Sequence, residues 1–163
     1  MSFQLTRRMG LTVLAMAAAG WLAGCKEKAD HDHDHGGGGH AHEPKNGGML
    51  VEVGTHQFNL ELLTDPAAGK MTVWILDAHA EDYVRIPAPS LAVRVTVGGA
   101  EKTVTLAAVA NAASGETVGN TSQFEGNADW LKGAGGFSGV VGSVTLGGKN
   151  FGDVAFEYVP AGK

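Results

Sequence analysis

From Met49 onward, apolar and polar residues alternate with a period of two, and glycine or proline interrupts them at short intervals. "MLVEV" (49–53) runs up to Gly54. In "HQFNLELL" (56–63), Phe58, Leu60 and Leu62 alternate with Gln57, Asn59 and Glu61. That period sends one set of side chains to each face of an extended strand. "DPAAG" (65–69) reads as a turn, since Pro66 fixes φ and Gly69 tolerates positive φ. "KMTVWIL" (70–76) is rich in β-branched and aromatic residues that suit a pleated surface. "SLAVRVTV" (90–97) alternates Leu91, Val93, Val95 and Val97, and Gly98-Gly99 turns it into "KTVTLAAV" (102–109). "GVVGSVTL" (139–146), Gly147-Gly148 and "NFGDVAFEYV" (150–159) read as a C-terminal hairpin. Only "NADWLKG" (127–133) suggests a helical turn.

Seven or eight short strands with glycine turns, and no ten-residue helical pattern, predict an all-β domain over residues 47–160. The expected architecture is an immunoglobulin-like antiparallel β-sandwich. It rests on strand count, because the Cys–Trp–Cys signature of that fold is absent. Phe58, Trp74, Phe124, Phe156 and Tyr158 are the expected core aromatics.

Before Met49 the pattern is different. Arg7 and Arg8 precede an apolar run from Leu11 to Ala19, closed by Leu22-Ala23-Gly24-Cys25. The run is shorter than the roughly 20 residues that span a bilayer. Basic start, short apolar middle and small residues before a cut describe a secretory signal peptide over 1–24. Leu-Ala-Gly-Cys resembles the bacterial lipobox, which implies lipidation of Cys25 and a membrane anchor. Lys26 after that cysteine favours the outer membrane. Thr6-Arg7-Arg8 also suits twin-arginine export, though "MGLT" after it fits poorly, so both export routes stand. Residues 25–46 then carry almost no apolar side chain beyond Ala29 and Ala41, and Gly36–Gly39 is a four-glycine hinge. Such a segment is expected to be a disordered tether.

Charge and cysteine count sharpen the picture. The chain carries 12 Lys and Arg against 17 Asp and Glu, a formal charge of −5. Both arginines of the leader precede Cys25 and no acidic residue does, so the exported part is more acidic still. That balance excludes the basic footprint of a nucleic-acid binder and suits cations. Cys25 is the single cysteine, so no intramolecular disulfide can form and the domain relies on its core. The expected location is periplasmic, lipid-anchored at the outer membrane.

Candidate chemistry concentrates in "DHDHDHGGGGHAHE" (30–43), where five of the seven histidines fall. On an extended chain His31, His33 and His35 share one side at about 6.5–7 Å spacing. With His40 and His42, and with Asp32 and Asp34 as auxiliary oxygen ligands, they form a candidate set for zinc, copper or nickel. The alternative is a solvated spacer whose imidazoles titrate without binding. A second candidate is Asp77-x-His79-x-Glu81, which on extended backbone would point three metal-capable groups the same way; the competing reading is a solvated polar loop. His56 reads as a surface histidine.

"PKNGGMLVEVGTHQFNLELLTDPAAGKMTVWILDAHAEDYVRI" (44–86) resembles a segment of small His-rich bacterial periplasmic lipoproteins. It is also similar to the N-terminal extension of periplasmic adaptor subunits of RND-type heavy-metal efflux pumps. "GETVGNTSQFEGNADWLKG" (115–133) resembles the same lipoproteins. The matching positions are Pro44, Gly47, Gly48, Glu52, Gly54 and Glu61. The resemblance implies a periplasmic β-domain linked to metal handling. The family's histidine before Gly-Gly is Asn46 here, after an added Lys45, so its role does not carry over.

No Gly-x-Ser-x-Gly, Cys-x-x-Cys or His-Glu-x-x-His motif occurs, and "GAGGFSG" (133–139) lacks nucleotide-loop spacing. The chain is therefore expected to be no enzyme. The expected function is a membrane-tethered protein that buffers zinc, copper or nickel ions or hands them to an efflux or other envelope protein. The alternative is an envelope interaction module whose sandwich docks a partner.

Overall fold

In the computed structural model, residues 42–160 are described; the expected signal peptide, Cys25 and the expected tether through residue 41 lie outside them. The alternating segments form strands β1 (Met49–Val53), β2 (Phe58–Asp65), β3 (Lys70–Asp77), β4 (Ser90–Val97) and β5 (Ala100–Ala108). They are followed by β6 (Gln123–Asn127), a 3-10 turn (Asp129–Leu131), β7 (Phe137–Val141), β8 (Val144–Leu146), β9 (Lys149–Phe151) and β10 (Val154–Tyr158). Eight of these strands make one antiparallel sheet in the order β1-β2-β3-β6-β5-β4-β7-β10, and β8 pairs with β9 alone.

The expected all-β antiparallel sandwich is thus the fold, in a barrel-like form. One face of every strand in the row contributes to a single core: Val51, Leu60, Val73, Phe124, Leu106, Val93, Val141 and Phe156 pack into one cluster. A single row of strands can share one core only by curving back on itself. Accordingly β1 and β10, at opposite ends of the row, approach within 8 Å between Cα atoms. No ladder pairs them, so the closure is a seam between two strand edges.

The turns behave as their residues dictate. Gly98 and Gly99 both take positive φ (58° and 80°) between β4 and β5, as do Gly147 and Gly148 (57° and 77°) between β8 and β9. Two consecutive left-handed residues give the turn that matches the twist of paired strands. The C-terminal hairpin is present but broken. Gly142-Ser143 on one arm and Gly152-Asp153 on the other interrupt it at equal lengths, so the register carries through from Val144↔Phe151 to Val141↔Val154. The tip bends over the core, where Phe151 meets Phe58 edge-on at 5.9 Å.

Two expectations needed correction. β6 was not anticipated, because "QFEGN" holds one apolar residue, Phe124, and borrows its strand character from β3 and β5 on either side. Trp74 is not in the core. It pairs with Glu61 and Gln123 across the outer face, where it is half-buried. β3 is covered on both faces, which is why "KMTVWIL" reads as a nearly continuous apolar run.

Candidate functional site

The outer face of β2 carries a charge out of water. Leu60 and Leu62 point into the core, so Glu61 between them points outward, yet it is completely buried. What covers it is the chain just before β1. Glu61 Oε1 accepts hydrogen bonds from the Asn46 N–H (2.7 Å) and the Gly48 N–H (2.9 Å). Its Oε2 accepts from the Lys45 N–H (3.1 Å) and from Asn46 Nδ2 (2.8 Å). Four donors around one carboxylate offset the cost of its burial without a counter-charge.

The two glycines make this cradle possible. Gly47 turns the chain with φ at 75°, where a residue with a Cβ is strained. Gly48 lies so close to β2 that a Cβ would stand 2.5 Å from the Leu62 carbonyl oxygen. Residues 42–48 therefore form a strap laid over Glu61, reversing at Gly47-Gly48 into β1.

The far end of the strap meets the loop after β3. Tyr83 donates its hydroxyl to Asn46 Oδ1 (3.0 Å), so the Asn46 amide bridges Glu61 and Tyr83. Lys45 lies over the Tyr83 ring, 5.1 Å from its centroid, and its ammonium donates to the Glu81 carbonyl. The loop itself is tightly closed. The Asp77 N–H donates to the Asp82 carbonyl (2.9 Å), and Asp77 Oδ1 accepts from the Glu81 and Asp82 N–H groups (2.8 and 3.2 Å). Buried Asn59 holds the Asp77 and Ala78 carbonyls from beneath (2.9 and 3.1 Å). Burial would raise the Asp77 carboxyl, but N–H groups of Asp82, Glu81 and His79 and the charge on His79 bring it below the usual carboxylate range.

Strap and loop together set two imidazoles side by side. The rings of His42 and His79 have centroids 5.7 Å apart and planes inclined at 72°. His42 is half-buried and His79 exposed. Two imidazoles so placed can offer nitrogen ligands to one cation, or share a proton, at a surface open to solvent.

Of the residues expected to bind metal, His31, His33, His35, His40, Asp32 and Asp34 lie outside the described residues, as does Cys25. His42 and His79, expected in separate clusters, are brought together. Asp77, His79 and Glu81 do not sit on extended backbone: the chain turns through Ala78 and His79, and Ala80 takes φ of 58°. The Asp77 carboxylate is engaged in closing that turn. Among the described residues no three His, Cys, Asp or Glu side chains converge as ligands. His56 is exposed, with Nδ1 3.5 Å from Glu52. Glu61, Asn46 and Tyr83, which assemble the site, were not singled out for that role. The Asn-Gly-Gly before a strand whose neighbour carries an isolated glutamate was the available signal.

A second buried carboxylate closes the loop between β5 and β6. Glu116 accepts from the Ser122 N–H and hydroxyl (3.0 and 2.7 Å) and from the Ser114 hydroxyl (2.9 Å), with Arg85 Nε at 3.6 Å. Burial pushes its carboxyl up, and these hydrogen bonds with the Arg85 charge bring it below 4.5. At the seam, a groove of about 770 Å³ is lined by Gly47, Met49, Leu63, Tyr158, Val159 and Pro160. Its lining is mostly apolar, and the Tyr158 hydroxyl there takes a hydrogen bond from Thr64 (2.8 Å).

Comparison with known proteins found no matching family model, no matching curated protein and no matching solved structure.

Proposed function

We propose that this chain is a lipid-anchored periplasmic protein that binds zinc, copper or nickel ions reversibly, buffering them or handing them to an efflux or other envelope protein. The observation that carries this reading is the histidine–aspartate run itself, whose last member, His42, lies in the strap fastened to the β-domain through Glu61. Imidazole is a ligand of choice for these borderline cations. Interleaved carboxylates and an overall charge of −5 favour cation capture further. Cys25 supplies the anchor and needs a second chain or signal for stable attachment.

Equilibrium dialysis of the full chain against micromolar copper, nickel and zinc at neutral pH, with metal counted in the protein fraction, tests the reading. Retention of one or more ions supports it. A chain that emerges with none refutes it.

A second reading, an envelope docking module, draws on the unladdered edges of β1 and β10. Free backbone groups on a strand edge accept an added strand. Deleting residues 30–43 separates the two readings: it abolishes metal uptake in the first and leaves partner capture intact in the second.

A further inference from the structure

We infer that His42 and His79 form an ordered two-imidazole site for one borderline transition-metal ion, distinct from the run that precedes it. The inference rests on the reading of the chain as a metal binder, and it moves one binding event from the tether onto the fold.

The spacing of the rings fits shared ligation. With a metal–nitrogen bond of about 2.1 Å and about 1.2 Å from nitrogen to ring centre, two imidazoles on a tetrahedral ion have centroids about 5.4 Å apart. At a trans square-planar arrangement the figure is about 6.6 Å by the same bond lengths. The observed 5.7 Å lies between these limits.

Both backbone segments are held independently of the histidines. Glu61 fixes the strap through three backbone N–H groups, at Lys45, Asn46 and Gly48. Asp77 and Asn59 fix the loop. Lys45 ties one to the other through the Glu81 carbonyl and the face of Tyr83. The two ligands are thus set close together before an ion arrives, which lowers the ordering cost of binding.

Two protein ligands are fewer than the four of a structural zinc site. The remaining positions stay open to water or to an incoming ligand, so the site accepts and releases ions instead of locking them in. Nitrogen ligation with open positions ranks copper(II) above nickel and zinc.

The test uses the full chain in two backgrounds, titrated with copper(II) chloride and zinc chloride by calorimetry at pH 7.4. In the first background all histidines are present. In the second, His31, His33, His35 and His40 are replaced by Asn, and His42 and His79 remain. Retention of one ion by the second background, weakened about tenfold or more by His79→Asn, supports the site. His42→Asn should weaken it equally, and the double replacement should add little, as partners on one ion require. His79 is exposed on a loop, and a thermal melt confirms that each variant folds. If the second background binds ions equally well with and without His79→Asn, or binds none while the first background binds, the paired site is refuted and the metal-binding reading stands. If neither background binds, both fall.

Discussion

Glu61→Gln is the most incisive perturbation of the strap. The substitution keeps the shape of the side chain and replaces one acceptor oxygen with an NH2 group. The four donors divide evenly, Asn46 N–H and Gly48 N–H on one oxygen, Lys45 N–H and Asn46 Nδ2 on the other. Whichever oxygen is replaced, two donors face another donor. Hydrogen bonds to a charged acceptor contribute about 1.5–3 kcal/mol each, so two of them amount to about 3–6 kcal/mol while the strap stays down. The loss is capped by release of the strap, which returns its N–H groups to water. A net destabilisation of about 2–4 kcal/mol follows from these limits. For a domain of this size that lowers Tm by roughly 6–15 °C. Thermal unfolding gives the magnitude, and amide hydrogen exchange gives the place: Asn46 and Gly48 should lose protection while β4 keeps it. A Tm within about 1 °C of the parent, with both amides still protected, would refute the role assigned to Glu61. The same substitution should weaken the paired histidine site, because the strap positions His42.

Four further outcomes are expected. Gly48→Ala forces a Cβ to within 2.5 Å of the Leu62 oxygen and should cost about 2–3 kcal/mol in chemical denaturation; Gly47→Ala, with open space but φ of 75°, should cost only about 1–2 kcal/mol. Glu116→Gln should destabilise by about 2–3 kcal/mol at neutral pH. Because the folded Glu116 carboxyl titrates below its ordinary 4.5, that stability is present above 4.5 and is lost as pH falls through the lowered value, so parent and variant should converge in acid. Phe124→Ala, at a fully buried site, should cost about 3–5 kcal/mol in the same measurement. Metal uptake should decline as pH drops below roughly 6.5, where free imidazole gains a proton, and dialysis at pH 5 against pH 7.5 checks it.

The strands written as alternation were legible from the residues alone. "SLAVRVTV" buries Leu91, Val93 and Val95 and leaves Ala92 and Thr96 exposed, as its period demands. The glycine pairs marked their turns, and "NADWLKG" gave its short helical turn. β6 was not legible, since its pairing partners both lie earlier in the chain, about 50 residues before it at Val73↔Phe124 and about 18 before it at Ala107↔Glu125. Glu61 read as the wet face of β2; only the strap folding over it makes it a buried anchor. Asp77, His79 and Glu81 formed a set on the assumption of extended backbone, and the reversal at Ala80 removed that premise. The approach of His42 to His79 spans 37 positions, and no local period encodes contact at that range.

The seam has a bearing on how the chain threads through the molecule. The start of β1 and the end of β10 border the same groove, with Gly48 and Met49 on one side and Tyr158 and Val159 on the other. The polypeptide therefore enters and leaves its sheet at one place, on neighbouring edges that no ladder joins. The strap brings the chain to that doorway from the loop after β3, where His42 stands beside His79. The same adjacency makes the domain a suitable insert in a host loop, or a candidate for splicing end to end and reopening at the Gly98-Gly99 turn.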